Sequence, residues 1–248
     1  MRRFALAMTL MIAAGAAACG GSGDGAPRGT ITVAAASSLT EAFTEIGKDF
    51  EATHRGASVE FNFDASSALA RQIDNGAPAD VFASADEASM AKIVSGGEPE
   101  FFASNRLEIA TKPGNPNGIR GLDDLADTGT VALCAAEVPC GRLAADVLAT
   151  AGVVIPENHI TRAEKVKAVV TAVAEGDAEA GIAYVTDVIA AGDRLSGVEI
   201  PADQNSTAAY PIATLRGAQN ATLAGAFVAY VLSDAGQTTL RSYGFGAP

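Results

Sequence analysis

Tryptophan is absent from the 248 residues, and aromatic residues make up only 6%. So few rings supply neither a stacking platform for bases nor an aromatic cradle for sugars. Cations are scarce as well: 17 Lys and Arg stand against 29 Asp and Glu, a formal charge of −12. That balance argues against nucleic-acid binding, which needs clustered Lys and Arg against phosphates. The usual catalytic signatures are missing: there is no G-x-S-x-G elbow, no H-E-x-x-H and no P-loop. Ser89-Met90-Ala91-Lys92 has the S-x-x-K spacing of an acyl-enzyme serine, yet the S-D-N and K-T-G segments that go with it do not occur. Histidine is limited to His54, in a polar turn, and His159, near a loop; both read as solvated loop residues rather than bases.

What the chain does have is apolar content, 48%, enough for a full core in one large or two small domains. Its start reads as an export signal over residues 1–18. Arg2 and Arg3 form a charged end, and Phe4–Ala14 is an apolar run too short to span a bilayer. Ala16-Ala17-Ala18-Cys19 resembles a bacterial lipobox, in which Cys19 is lipidated; an ordinary A-x-A cleavage site is the alternative. Residues 19–29, with their GGSGDGAPRG stretch, read as a flexible tether between a lipid anchor and the fold. The other two cysteines, Cys134 and Cys140, are close together. Outside the cytoplasm such a pair reads as a disulfide. A zinc site is the weaker reading, since neither His stands at ligand spacing to them.

Periodicity alternates along the chain. Strands are expected at Thr30–Ala34, Ser58–Phe63, Asp80–Ser84, Leu107–Thr111, Thr130–Cys134, Ala180–Tyr184, Val198–Pro201 and Tyr210–Leu215. Helices are expected at Ser38–Phe50, Ser66–Asn75, Glu87–Val94, Arg142–Ala151, Lys165–Glu175, Thr186–Ala191, Ala221–Ser233 and Ala235–Ser242. This order predicts an α/β protein with mostly parallel sheets and helices on both faces. The turn at Lys112–Gly118 and the region near Tyr210 are the candidate domain crossings.

Three loops run from a strand into a helix through small or hydroxylated residues: Ser37-Ser38, Ser66-Ser67 and Pro139-Cys140-Gly141. Each sets free backbone N–H groups at a helix N-terminus, where an anion is stabilised. For a single loop, N-capping by the serine is the simpler reading. Three such loops in one exported chain point to convergence on one anion.

Taken together, these stretches resemble the molybdate-binding family of ABC-transporter substrate-binding proteins. The matching segments are Ile31–Thr40 (ITVAAASSLT), Ser66–Ile73 (SSALARQI), Asn75–Asp86 (NGAPADVFASAD), Val138–Gly141, Gly181–Tyr184 and Tyr243–Phe245. The resemblance implies a type II periplasmic-binding-protein fold, with two α/β lobes closing on a ligand cleft. It implies lobe 1 over 30–108 and 213–248, and lobe 2 over 109–212. By motif, Ser38 and Ser66 would supply hydroxyls and N–H groups, Cys140 and Val166 backbone N–H groups, and Tyr184 its phenol. The family usually has Ala at the Cys140 position; only the N–H is asked for there, and a bond to Cys134 would tie the loop down.

The implied ligand suits these donors. Molybdate is a fully deprotonated tetrahedral dianion, so it needs donors only. Tungstate has the same charge and nearly the same size. The loops themselves contain no cation except Arg142. Phosphate would need an acceptor for its remaining proton, and Asp64 near the second Ser loop keeps that question open. The resemblance further implies a non-enzymatic, monomeric receptor without cofactor or bound free metal cation. Such a receptor would be anchored on the outer face of the membrane or lie in the periplasm, and would deliver its ligand to an ABC permease. The rivals are a receptor for sulfate or another oxyanion on the same fold, a secreted serine hydrolase, and a structural lipoprotein.

Overall fold

The computed structural model describes residues 27–93 and 95–248. The export signal, Cys19 and all but the last residues of the tether lie outside the described residues. The first strand, β1 (Gly29–Ala36), alternates little because it is buried on both faces over its second half. A 3-10 turn at Ser37–Leu39 leads from it into α1 (Thr40–Thr53). The apolar stripe of α1, with Phe43, Ile46 and Phe50, packs into the core. There Phe43 meets Phe102 and Phe227 at centroid distances of 5.6 and 6.1 Å. β2 (Ala57–Asp64), α2 (Ser66–Asp74), β3 (Val81–Ala83) and α3 (Glu87–Met90) complete the first group.

The second group comprises β5 (Val131–Cys134), α4 (Pro139–Ala151), β6 (Ile160–Ala163), α5 (Val166–Ala174), β7 (Ala180–Tyr184), α6 (Val185–Ala191) and β8 (Ser196–Glu199). Two long strands join the groups. These are β4 (Glu100–Thr111), which enters the second group, and β9 (Thr207–Thr214), which leads back to α7 (Ala221–Leu232) and α8 (Asp234–Ser242). The strand order is β2-β1-β3-β9-β4-β7-β5-β6, with β8 also on β4.

The expectation of mostly parallel sheets needs correction. β1 with β2 and β3, and β5 with β6 and β7, are parallel. Every pairing of β4 and β9 is antiparallel. A strand's own periodicity shows which face is buried but not the direction of its partner. β4 also begins seven residues earlier than the apolar run at Leu107 suggests, because Ser104, Asn105 and Arg106 interrupt that pattern while still pairing with β9. Its partner changes from β9 to β7 between Arg106 and Leu107, ahead of the Lys112–Gly118 turn. β6 has no apolar signature, since Thr161 and Arg162 are exposed on an edge strand. β1 and β2 end, and α1 and α2 begin, on one side of a cleft; β5, β6 and β7 end, and α4, α5 and α6 begin, on the other.

Candidate functional site

Ser38, Ser66, Cys140, Val166 and Tyr184 all line one narrow cleft. All five are buried. Ser38 lies in the turn opening α1, and Ser66 is the first residue of α2. Cys140 is the second residue of α4, Val166 the first of α5, and Tyr184 immediately precedes α6. The cleft is therefore walled by helix N-termini, whose first N–H groups have no intrahelical acceptor.

No side chain caps the 3-10 turn before α1, or α2, α4, α5 and α6. The serines that look like caps in the sequence bond elsewhere. Ser66 Oγ accepts from the Ala85 N–H at 2.9 Å. Ser38 Oγ lies 2.9 Å from the Tyr210 hydroxyl. Asn105 Nδ2 donates to Thr186 Oγ1 at 2.8 Å and reaches Tyr210 Oη at 3.4 Å. Tyr210, Asn105 and Thr186 thus hold the Ser38 hydroxyl from behind. Sequence reading did not single them out: Asn105 and Tyr210 sit on different strands, and only the β4–β9 register brings them together. Asn105 and Tyr210 are polar-tipped residues within strands, which was the available signal, and Thr186 lies in the first turn of α6.

The Tyr184 hydroxyl is buried with no hydrogen-bond partner. Burial holds it well above its ordinary pKa, and the neighbouring Tyr210 and Asp187 push the same way. It remains a neutral donor with a proton to give. Burial likewise raises Tyr210.

The second wall is stiffened at Cys140. Cys134, at the end of β5, and Cys140 are joined by a disulfide, closing the loop that leads into α4. Gly141 is required beside it: a Cβ there would collide with the Ala135 carbonyl across the same loop. Pro at the first position of α4 has no N–H to leave unpaired, and Cys140 presents the next one.

Two charged residues belong to the cleft wall: Asp64, which the sequence already places near the second Ser loop, and Lys165, which the loops alone did not show. Lys165 Nζ sits 3.3 Å from Asp64 Oδ1, bridging the two sides. The absence of cations other than Arg142 thus holds for the loop sequences but not for the folded cleft. Arg142 itself pairs across the opening with Asp86. Asp64 is already engaged, since its Oδ1 also accepts from the Ala65 N–H and its Oδ2 from Gln72.

The remaining candidates lie apart from this cleft. Ser89 is buried with its Oγ making no hydrogen bond, and Lys92 is exposed. His54 lies in the bend just after α1, partly exposed, with its ring stacked on Phe50 at 4.0 Å. His159 is half-buried in a 3-10 turn. Among the described residues no cluster of three His, Cys, Asp or Glu could hold a metal ion. No helix among them is long and apolar enough to cross a membrane.

Comparison with known proteins agrees with this arrangement. The profile of the bacterial extracellular solute-binding proteins matches residues 31–246. The molybdate-binding protein ModA of Mycobacterium tuberculosis is 36% identical over 97% of this chain and 96% of its own length. The substrate-binding domain of a molybdenum ABC transporter from Clostridium difficile, described as putative, superposes with a TM-score of 0.66 and 26% identity, over 88% of this chain and 99% of that one. The Azotobacter vinelandii periplasmic molybdate-binding protein superposes at 0.76, with 21% identity over 88% and 99% of the two chains. The architecture is the type II periplasmic-binding-protein fold, two α/β lobes around a cleft, and the chain belongs to the bacterial extracellular solute-binding proteins, in the family of the molybdate-binding proteins.

Proposed function

We propose that the chain captures molybdate outside the cytoplasm and delivers it to an ABC permease, acting as a receptor and not as an enzyme. The observation that carries this reading is the cleft walled by uncapped helix starts. Ser38 and Ser66 would give hydroxyls and N–H groups from lobe 1. Cys140 and Val166 would give N–H groups, and Tyr184 its unpartnered hydroxyl, from lobe 2. These donors suit a dianion that carries no proton of its own. Tungstate meets the same donors. Hydrogen phosphate brings a proton that needs an acceptor, and the oxygens of Asp64 are already engaged. Because the donors come from both walls, ligand binding favours the closed arrangement. Lobe 1 comprises 30–108 and 213–248, lobe 2 comprises 109–212, and a lipid at Cys19 holds the monomer at the membrane surface.

Calorimetry with molybdate, tungstate, sulfate and phosphate tests the reading. One molybdate or tungstate per chain, with sulfate and phosphate bound more weakly, is the expected result. Tighter sulfate binding would assign the cleft to another oxyanion. No heat with any of the four would remove the receptor reading.

A further inference from the structure

We infer that Lys167 and Glu41 are positioning residues that register the ligand-binding helix starts across the two lobes. Lys167 is the second residue of α5, directly after Val166. Glu41 is the second residue of α1, three after Ser38. Asp187 lies in the first turn of α6, three after Tyr184. These three charges meet. Lys167 Nζ donates to Glu41 Oε1 and Oε2 at 2.8 and 2.7 Å. It also lies 3.0 Å from Asp187 Oδ1. One ammonium therefore ties together the first turns of the three helices that carry Ser38, Val166 and Tyr184 to the cleft.

The two arms of this triad differ in a way that fits a closing device. The Asp187 side chain is 0% exposed, and neither of its oxygens has an aligned hydrogen bond. Its compensation is the charge of Lys167, and both residues belong to the second lobe, so this arm persists when the cleft opens. A buried carboxylate without its partner is strongly destabilising. The Glu41 arm crosses between lobes and is partly exposed, with 25% and 38% of the two side chains accessible. Opening the cleft breaks this arm, and water can then solvate both groups. Lys167 is thereby held in place by a permanent contact on one side while it makes a reversible one on the other.

Two further ion pairs span the cleft, Asp64–Lys165 and Asp86–Arg142. Neither joins three helix starts. Attraction across the opening favours closure even without ligand. With ligand bound, the Glu41 arm slows reopening while touching no ligand atom.

This inference rests on the molybdate reading only for its ligand arm. Glu41→Gln is the informative change, since it weakens the interlobe arm and leaves Asp187 paired. Lys167→Met strands Asp187 and is expected to fold poorly, so Lys167→Met/Asp187→Asn serves as the second variant. Small-angle scattering of the unliganded chain comes first. Glu41→Gln should shift the parent's profile toward the open form at low salt, and the difference should shrink in high salt as screening weakens the parent's ion pair. Stopped-flow with molybdate comes second. Dissociation should speed up about two- to fivefold, the range of a partly exposed ion pair, while association and thermal midpoint stay unchanged. The double variant should dissociate as fast as Glu41→Gln. Unchanged scattering and an unchanged dissociation rate would overturn the inference, as would a loss explained by a lower thermal midpoint. If the parent does not bind molybdate, the functional reading fails, and the unliganded scattering still decides the positioning role.

Discussion

At α3, α7 and α8 a side chain accepts a hydrogen bond from the first helical turn: Asp86 from Ser89, Asn220 from Leu223, Ser233 from Gly236. At α2, α4, α5 and α6 no side chain does. A good cap contributes about 1 kcal/mol, so each uncapped start forgoes stability of that order. Among the α-helices, the uncapped starts converge on the cleft and the capped ones do not line it. Donors left open in the unliganded chain are donors available to an anion. Stability that caps would supply permanently is supplied only when the ligand is present, which couples binding to closure of the two walls.

The strongest way to break this comparison is to remove a hydroxyl from the lobe 1 wall. Ser38→Ala and Ser66→Ala should each lose one charge-assisted hydrogen bond, about 1.5–3 kcal/mol, or roughly 10- to 150-fold in molybdate affinity. Ser66→Ala also strands the Ala85 N–H that Ser66 Oγ now accepts, so it should cost some unliganded stability as well. Titration calorimetry and thermal unfolding separate the two effects. Parent-like affinity in both variants would show that the hydroxyls do not meet the ligand.

Tyr184→Phe sharpens the contrast by giving opposite signs. Its hydroxyl is buried without a partner, so deletion should leave the unliganded chain as stable as the parent or up to about 1 kcal/mol more stable. Affinity should still fall roughly tenfold, because the lost group is a donor to a charged ligand. Equal losses of stability and affinity would mean that Tyr184 is a packing residue only.

A smaller effect is expected at the stapled start of α4. Replacing both Cys134 and Cys140 by Ala removes the disulfide and keeps the Cys140-position N–H. Stability should fall by about 2 kcal/mol on the chain-entropy account of a short loop. Affinity should weaken only a few-fold, since the loop must then be ordered on binding. The measurement is denaturant unfolding beside calorimetry; a loss of affinity as large as that of Ser66→Ala would mean that the staple matters more than the hydroxyls.

How far the sequence alone reaches follows the same division. The strand-to-helix loops with their Ser, Pro and Gly residues are local signals and mark Ser37-Ser38, Ser66-Ser67 and Pro139-Cys140-Gly141 on their own, while the choice of Ser38, Ser66 and Cys140 within them comes from family resemblance. Ala180–Tyr184 is a buried apolar run whose limits agree with β7. Val166 and Tyr184 are reached through family resemblance, because nothing in their own spacing singles them out. What stays hidden depends on pairing between distant segments. The antiparallel crossing of β4 and β9 sets Asn105 and Tyr210 behind Ser38. The packing of the 3-10 turn before α1 on α5 brings Glu41 to Lys167, 126 residues away. Local periodicity reports exposure, not partners, and so carries no trace of either.

The smallest effect lies outside both sets of helix starts and serves as the control for the comparison. Glu108 on β4 stands directly opposite Glu199 on β8. Burial, with Glu199 adding to it and Arg106 opposing, pushes the Glu108 carboxyl from 4.5 up to about 7. Below 4.5 the folded and unfolded chains both hold the proton, and the group contributes nothing. Between 4.5 and about 7 the folded chain keeps a proton that the unfolded chain has released. Stability therefore falls as pH rises through that window, and the penalty is complete above it. Glu108→Gln removes the penalty. The variant should gain on the order of 1 kcal/mol over the parent at about pH 8, discounted for the partial exposure of the side chain, and essentially nothing at about pH 4. Urea unfolding at the two pH values measures the difference. Molybdate affinity should not move, because Glu108 does not line the cleft. A gain of equal size at both pH values would assign the effect to packing against Gly197 rather than to charge, and a change in affinity would show that the β4–β8 edge communicates with the ligand-binding helix starts.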